Sequence, residues 1–347
     1  MIESFAESIR EAAAGRRALR LRGGGTKDFY GNELRGDILD TRTYAGVVAY
    51  EPTELVVTAR CGTPLTELER LLEKHHQCLP FEPPHFGAEA TVGGCVAAGL
   101  SGPRRAAAGA MRDFVLGVKL IDGRGQALSF GGQVMKNVAG YDVSRLVAGS
   151  LGTLGLIAEV SLKLAPKPQA EATRRLEAPQ ARALELMNRW AGQPLPVSAT
   201  AWQDGELSVR LSGSSAGVRA AAEKIGGAAA DGALWSGIRE QNDEFFTGPE
   251  PLWRLSLPST SPPLDLGGRQ MIEWGGALRW LKSSESPKAI RDAAARLKGH
   301  ATLFRAADKA AGCFSPLAPV LERLHRQLKS VFDPAAIFNP GRMYPEL

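Results

Sequence analysis

The chain has 347 residues, more than a single ordinary domain of about 150 residues needs. Hydrophobic residues make up 44% of it and charged residues 23%, a globular composition that excludes disorder over most of the length. The 42 basic and 37 acidic residues give a net charge of +5, and no dense block of Lys and Arg is present. This distribution argues against nucleic-acid binding, whose signature is a clustered basic patch, although modest positive charge suits an anionic cofactor or substrate.

The four cysteines, Cys61, Cys78, Cys95 and Cys313, lie far apart and match no Cys-x-x-Cys or Cys/His pattern. Their spacing predicts no zinc site, iron–sulfur cluster or disulfide framework, and it is typical of a reduced, intracellular protein. The chain has no run of about 18 apolar residues and no basic-then-apolar start typical of a secretory signal. We therefore expect a cytoplasmic protein without a bound metal, which reaches a membrane only through a partner.

Hydrophobic periodicity predicts the elements of the first half of the chain. Ile2, Phe5 and Ile9 recur at helical spacing and predict a helix over residues 2–14. Alternating Leu and Arg predict a strand over 16–22, and further strands are expected over 46–50, 55–59, 113–121 and 156–164. Thr63 and Pro64 predict the cap and first turn of a helix that begins at residue 65 and is ended by Pro80. Pro166 and Pro168 stop the last strand and mark a domain boundary.

The second half of the chain combines helices with antiparallel strands. Strands are predicted over 171–176, 252–257, 271–274, 277–281 and 301–305, with a hairpin at Asp204 and Gly205. Helices are predicted over 181–190, 218–225 and 287–297, and this mixture is typical of an α+β region. A last helix over 317–331 leads into a tail of aromatic and turn residues, which we expect to dock on a domain.

A Gly-rich loop after the first strand is the sharpest local motif. Arg22-Gly23-Gly24-Gly25-Thr26-Lys27 contains three successive glycines, which permit backbone angles that other residues avoid. Such a loop lets several N–H groups converge on one anion, while Thr26 adds a hydroxyl and Arg22 and Lys27 add charge. It is neither a Walker loop nor the spaced GxGxxG of a Rossmann unit. The alternative is a tight loop with solvated basic neighbours.

Two more segments of small residues follow. Residues 91–102 carry no bulky side chain except Leu100, so backbone amides there could lie against a planar ligand or a diphosphate, unless the small residues serve helix packing. Gly140-Tyr141-Asp142 and residues 149–155 repeat the pattern before the strand over 156–164. Three Gly-rich elements within the first 155 residues together favour a phosphate-bearing cofactor.

The order of these motifs resembles the FAD-binding oxidoreductases typified by vanillyl-alcohol oxidase and p-cresol methylhydroxylase. The resemblance covers residues 1–165 and about 330–347, and it includes Asp333-Pro334 and Asn339-Pro340-Gly341 near the end. Within this family the chain is most similar to the smaller FAD-binding subunits of bacterial glycolate oxidases, through the phrases at residues 136–142 and 299–305. The resemblance implies an α+β fold: a two-part FAD-binding domain over 1–165, an α+β cap over 166–330, and residues 331–347 returning to the first domain.

The resemblance also implies which residues hold FAD. The first loop would hold the pyrophosphate, the second segment would line the pyrophosphate and isoalloxazine, and a third group would lie near the adenosine half. These residues are Arg22, Gly23, Gly24, Gly25, Thr26 and Lys27; then Thr91, Gly93, Gly94, Gly99, Ser101 and Gly102; then Gly152, Thr153 and Ile157. Several relatives tether FAD through a histidine directly after the glycines. Thr26 stands at that place here, so we expect noncovalent FAD.

The chain departs from the catalytic members of the family in its cap. Those that oxidise 2-hydroxy acids carry a His-x-Gly-Asp-Gly-Asn-x-His segment, whereas His300 is followed here by Ala301-Thr302-Leu303-Phe304. His300 and His85 are therefore only weak candidates for a catalytic base. His75 and His76 are adjacent on a predicted helix and face different directions, which disfavours a shared metal.

These observations predict an accessory FAD subunit of a glycolate or other 2-hydroxy-acid oxidase. The resemblance implies a catalytic FAD subunit and an iron–sulfur subunit as partners, and it implies that the complex brings the chain to the inner membrane. One alternative is a self-sufficient FAD oxidase of a hydroxy acid or sugar, in which Arg104, Arg105 or Arg112 clamps a carboxylate. The other is a flavin-free scaffold that keeps the fold.

Overall fold

The computed structural model describes residues 1–132 and 142–347. Residues 136–141 of the sequence phrase noted above, with Gly140 and Tyr141, lie outside these ranges. In the first part of the chain the helices are α1 (Ile2–Ala14), α2 (Leu65–Glu73), α3 (Val92–Ala98), α4 (Arg105–Ala108) and α5 (Val143–Leu146). The strands there are β1 (Leu19–Arg22), β2 (Asp37–Asp40), β3 (Val47–Glu51), β4 (Val56–Arg60), β5 (Gln77–Cys78), β6 (Val115–Ile121), β7 (Ala127–Gly131), β8 (Leu156–Lys163) and β9 (Ala165–Pro166).

A five-stranded antiparallel sheet in the order β3-β4-β8-β6-β7 organises this part. The leucines of α2 recur at i, i+3 and i+7, and Leu65, Leu68 and Leu72 are fully buried in a core shared with β4, β6 and β8. Phe5 and Ile9 of α1 belong to a second buried cluster. Helices α1 and α2 therefore both pack against strands of this sheet.

The remaining strands form a second sheet. They are β10 (Ala170–Glu177), β11 (Val197–Gln203), β12 (Glu206–Gly213), β13 (Ala228–Ala230), β14 (Leu252–Ser256), β15 (Arg269–Glu273), β16 (Leu278–Lys282) and β17 (His300–Arg305). Their order is β13-β10-β12-β11-β15-β16-β14-β17, and every adjacent pair is antiparallel. The helices of this part are α6 (Gln180–Ala191), α7 (Ser215–Ile225), α8 (Ala233–Glu240), α9 (Pro287–Arg296) and α10 (Pro319–Phe332).

The end of the chain returns to the first strands. β1 and β2 form a short parallel pair, and Phe338 makes an isolated parallel bridge to Leu19. Phe332 packs its ring against Phe130 of β7 at a centroid distance of 6.3 Å. The return to the first sheet therefore begins inside α10. The two large sheets share no strand. We therefore propose a division into an FAD-binding domain at residues 1–165, a cap domain at 166–330, and a segment at 331–347 that returns to the first domain.

The predicted elements are found with shifted ends and some omissions. The first strand begins at Leu19 instead of residue 16, because Gly15 ends α1 and Arg16 adopts a positive φ of 49°. Thr63 does not cap α2, since its hydroxyl instead bonds the backbone of Gly46. The elements that were not predicted include strands β2, β5, β7, β9 and β13 and helices α4, α5 and α8. No helix of the described ranges is long and apolar enough to cross a membrane.

Candidate cofactor site

The loop after β1 contains consecutive backbone N–H groups that make no hydrogen bond to the described part of the chain. The amides of residues 23–27 donate to no acceptor within the described ranges, whereas the next amide, that of Asp28, bonds the carbonyl of Gly25 at 3.0 Å. Five consecutive N–H groups at the end of a strand are the donor set that a phosphate requires. This loop is therefore the strongest anion-binding feature among the described residues.

The three glycines of the loop are needed for packing as well. A β-carbon at Gly24 would overlap the carbonyl group of Glu89, and one at Gly23 would overlap the hydroxyl of Thr91. Gly25 has φ +72°, and a β-carbon there would overlap the guanidinium of Arg22. The loop thus lies directly against residues 89–91, so the first two motifs of the sequence meet in space.

The charged residues of the loop differ in their partners. Arg22 donates from Nε to Asp28 at 2.9 Å, and Arg20 also pairs with this carboxylate. Lys27 forms no ion pair within the described ranges; its Nζ donates to the carbonyl of His85 at 3.1 Å and to the hydroxyl of Thr26 at 3.3 Å. Burial lowers the pKa of Lys27. Lys27 is thus the free cation of the loop.

The second motif forms helix α3 and the turn after it. Thr91 is its N-cap and accepts from the amide of Gly94 at 3.3 Å, while the amides of Val92 and Gly93 donate to Thr63 and Cys61. These three amides therefore already donate to acceptors of the protein and are not available to a ligand. At the other end, the amides of Leu100 and Ser101 have no acceptor in the described part of the chain.

The remaining residues predicted to contact FAD are of two kinds: most lie against other protein atoms, and one borders open space. A β-carbon at Gly94 would meet only the Thr91 hydroxyl at 3.2 Å, so Gly94 faces open space. The other glycines lie directly against protein atoms: Gly93 against Cys61, Gly99 against Gly149, Gly102 against Glu82, and Gly152 against Asn339. The Thr153 hydroxyl donates to the Ser150 carbonyl, and the Ser101 hydroxyl accepts from the amide of Met111. Ile157 is buried in the core. Their roles toward FAD stay predictions.

The two candidate histidines do not share a site. His85 is buried, and its Nε2 lies 3.1 Å from a carboxylate oxygen of Glu69. The amides of His85 and Phe86 both donate to Glu240, at 3.0 and 2.9 Å. His300 is exposed at the first position of β17, opposite Ser256. Desolvation and the charge of Arg254 lower the pKa of His300.

Sequence reasoning missed a charged cluster beside the second motif. Trp274 follows β15 and donates from its indole to the carbonyl of Gly102 at 3.0 Å. The guanidinium carbons of Arg105 and Arg254 lie 4.6 and 5.2 Å from ring centroids of Trp274, and neither arginine forms a salt bridge in the described ranges. Glu273 is fully buried beside them and accepts from Trp280 at 2.6 Å. Burial raises the pKa of Glu273 to about 7.

A signal for this cluster exists in the sequence. Met271-Ile272-Glu273-Trp274 places one carboxylate inside an otherwise apolar strand, and a buried carboxylate needs a partner. Of the three arginines considered as a carboxylate clamp, only Arg105 stands in the cluster. Arg104 is held by Glu82 and Glu171 at 3.3 and 2.7 Å, and the side chain of Arg112 is 66% exposed.

The fold and the loop together define a flavin-binding protein. Residues 2–131 match the family described as FAD binding domain. Among solved structures, alkyldihydroxyacetonephosphate synthase superposes with a TM-score of 0.67 at 16% identity, covering 96% of this chain and 74% of that one, which shows a shared fold. The chain is an FAD-dependent oxidoreductase component of this class, as the sequence predicted.

Curated relatives identify the family more closely. The chain is 49% identical over 345 residues to the glycolate oxidase subunit GlcE of Escherichia coli (strain K12), covering 99% of this chain and 98% of that one. It belongs to the family of GlcE-type glycolate oxidase subunits. The glycolate oxidase subunit GlcD of Bacillus subtilis (strain 168) is 32% identical over 127 residues, which are 37% of this chain and 27% of that protein.

The described residues fit FAD. The five free amides of residues 23–27 match a pyrophosphate, and the free amides of Leu100 and Ser101 match the polar edge of a flavin ring. In the covered part of the chain no group of three or more His, Cys, Asp or Glu side chains could hold a metal ion. The donor set therefore suits an anionic dinucleotide.

Proposed function

We propose that this chain is the accessory FAD subunit of an oxidase complex that acts on glycolate or a similar small 2-hydroxy acid. The proposed partners are a GlcD-like flavin subunit, which carries out substrate oxidation, and an iron–sulfur subunit. The chain binds FAD noncovalently, completes the complex and takes part in electron transfer. The complex, and not a segment of this chain, provides any contact with the membrane.

The observation that carries this proposal is the row of free amides at residues 23–27 beside the unpaired Lys27. These donors fix the diphosphate in the proposed site, and Lys27 neutralises part of its charge. Thr91 and the glycines around it keep the loop and α3 close together. When bound, FAD supplies the two-electron chemistry of the site. The chain's own residues bind and orient it.

The position of the histidines favours an accessory role. A catalytic base has to reach the substrate hydroxyl, and it is normally held by a second polar group. His300 is exposed at the start of β17, and His85 is enclosed next to Glu69. The two rings contact different neighbours, so they cannot act as the paired histidines of catalytic relatives. We therefore assign the base to the partner subunit.

Reconstitution from separately purified subunits tests the proposal. The chain is mixed with the GlcD-like and iron–sulfur subunits of its own source, and flavin is counted per subunit after acid release. We expect one FAD on this chain, and glycolate-dependent dye reduction only when the GlcD-like subunit is present. Turnover by this chain alone would overturn the accessory role. A colourless chain that takes up no FAD would instead favour the flavin-free scaffold.

Arg105 and Arg254 favour one second candidate, a self-sufficient oxidase. Both guanidinium groups lie against Trp274 without a carboxylate partner in the described ranges, and such a pair could bind the carboxylate of a hydroxy acid. Burial, together with repulsion from Arg254, lowers the pKa of Arg105 to about 10. In that case, the FAD-loaded chain alone would bleach on anaerobic addition of glycolate. The Arg254→Met variant would lose the bleaching.

A further inference from the structure

Helix α10 carries an apolar stripe that the rest of the described chain leaves uncovered. Val320, Leu321, Leu324 and Val331 are 58%, 48%, 47% and 59% exposed. With Leu328 they recur at intervals of three and four residues, so they lie on one side of the helix. Only Lys329 and Phe332 of α10 are buried. The helix thus packs through its C-terminal turn and presents its main apolar side to the surroundings.

The exposed apolar side chains of the protein are concentrated here. Among the described residues eight large hydrophobic side chains are exposed, and four of them are on α10. A fifth, Leu146 at the end of α5, is 39% exposed and lines a cavity of about 180 Å³ together with Leu328. Isolated apolar residues on a surface are ordinary, whereas a contiguous patch of this kind marks an interaction site.

A cavity with apolar walls lies beside the exposed stripe of α10. Its apolar walls come from α5, the following turn, α10 and the C-terminal residues: Leu146, Ala148, Leu154, Leu328, Met343 and Leu347. It adjoins the stripe through Leu328, one turn beyond Leu324. A pocket beside an apolar ridge can receive a protruding side chain, which is how the centre of a protein interface is commonly built.

We propose that this patch, consisting of Val320, Leu321, Leu324, Leu328, Val331 and Leu146, is the docking surface for the GlcD-like flavin subunit. The inference rests on the proposed function, since it takes that subunit as the partner. Arg323 lies on the same helix and has no ion pair within the described ranges. The partner surface that fits is therefore an apolar ridge with a carboxylate at its edge.

Two other occupants fit the patch less well. A helix that lies on a membrane surface normally carries several unpaired Lys or Arg side chains beside its apolar face. Of the cations of α10, Arg326 pairs with Glu322 and the buried Lys329 pairs with Asp333 at 2.8 Å. In a two-fold dimer formed through this stripe, the carboxylate opposite Arg323 would have to come from the same surface, where Glu322 is already paired with Arg326.

Charge substitution in the full-length, FAD-loaded chain tests the proposal. Leu324→Glu introduces a carboxylate into the patch, and Ala220→Glu introduces the same charge at an exposed position of helix α7, outside the patch, as a matched control. The measured quantity is the Kd for the purified GlcD-like subunit. We expect Leu324→Glu to weaken binding by more than about tenfold, as for a hot-spot residue. Ala220→Glu should stay close to wild type.

A third variant tests the polar edge. Arg323→Glu should weaken binding at low ionic strength, and the loss should shrink as salt is added. Flavin content and Tm are measured for each variant. Leu324 is exposed, so all variants are expected to fold. If Leu324→Glu lowers the Tm, Leu324→Gln replaces it, with the same expected direction.

Each remaining outcome overturns the proposal in a recognisable way. If wild type and Leu324→Glu bind the GlcD-like subunit equally, the surface is wrong while the proposed function stands. If wild type does not bind that subunit, the proposed partnership fails as well. Self-association of wild type that Leu324→Glu abolishes would assign the patch to a second copy. Sedimentation of wild type, but not Leu324→Glu, with phosphatidylcholine–phosphatidylglycerol vesicles would assign it to a membrane.

Discussion

The Nζ atom of Lys27 donates a hydrogen bond to the backbone carbonyl of His85 at 3.1 Å. The bond joins the Gly-rich loop to the Pro-rich segment before α3, and the ammonium group also lies 5.6 Å from the ring of Phe86. Lys27 therefore holds its charge next to the free amides without a carboxylate to neutralise it. An anion placed on those amides would gain more from this cation than from Arg22, which already pairs with Asp28.

The Lys27→Met variant is expected to bind FAD about tenfold to a hundredfold more weakly, because one charge-assisted contact to the diphosphate is lost. Flavin titration of the apoprotein, followed by fluorescence quenching, measures the change. The matched control is Lys224→Met, which removes one exposed lysine from helix α7. Unchanged affinity in Lys27→Met would exclude Lys27 from the phosphate site.

Gly24 and Gly94 separate the packing role of glycine from its role in cofactor binding. Gly24→Val is expected to destabilise the fold itself by at least about 2 kcal/mol, since the new side chain would overlap the Glu89 carbonyl. Gly94→Ala meets only the Thr91 hydroxyl at 3.2 Å, and should keep the free energy of unfolding within about 1 kcal/mol of wild type.

Flavin affinity is the discriminating measurement for this pair. If Gly94 lines the FAD site as predicted, Gly94→Ala weakens FAD binding in a protein that unfolds at a normal urea concentration. If Gly94→Ala binds FAD as tightly as wild type, FAD does not occupy the open space in front of Gly94.

The sequence predicts the elements better than it predicts the site. Periodicity alone identified α1, α2, β8 and most strands of the second sheet, because each buries an apolar face of regular spacing. It missed elements whose apolar patterns are short, among them β2, β7, β13, α4, α5 and α8. The loop at residues 23–27 was identified because three glycines are a local signal. The cluster of Trp274, Arg105 and Arg254 was missed because it joins residues far apart in the chain, which only tertiary structure brings together.

We expect FAD to be bound without a covalent bond. Thr26 occupies the position after the glycines, and no His or Cys stands in the loop. Acid precipitation of the purified chain should therefore leave all yellow colour in the supernatant. Colour in the pellet that survives washing with denaturant would contradict the prediction, and peptide mass analysis would then locate the attachment.

Glu273 should make stability depend on pH. Burial raises its pKa to about 7 from an ordinary 4.5, although Trp280 and Arg254 favour the charged form. The folded state therefore holds a proton that the unfolded state releases, so this contribution is complete below pH 4.5 and is lost as pH rises to 7. At about 1.4 kcal/mol per pKa unit, the loss is about 3 kcal/mol.

Glu273→Gln keeps a carbonyl oxygen for the Trp280 indole but cannot ionise. We expect its free energy of unfolding to match wild type at pH 4 and to exceed it by up to about 3 kcal/mol at pH 8. Urea denaturation at both pH values, with FAD bound and removed, gives the comparison. Equal free energies of unfolding for the two proteins at pH 8 would mean that ionised Glu273 does not destabilise the folded state.

His300→Ala and His85→Ala should each slow glycolate oxidation by the assembled complex far less than the removal of a true acid–base group, which costs about 10²–10⁴ in rate. His300 is exposed and lacks the Gly-Asp-Gly-Asn-x-His continuation, and His85 is enclosed beside Glu69 at 3.1 Å. Neither ring is both held by a partner and open to a substrate. Steady-state kinetics of the reconstituted complex measures the effect, with FAD content and subunit association confirmed for each variant. A thousandfold loss of turnover in either variant, with flavin full and the complex intact, would move the chemistry into this chain and make the self-sufficient oxidase the better description.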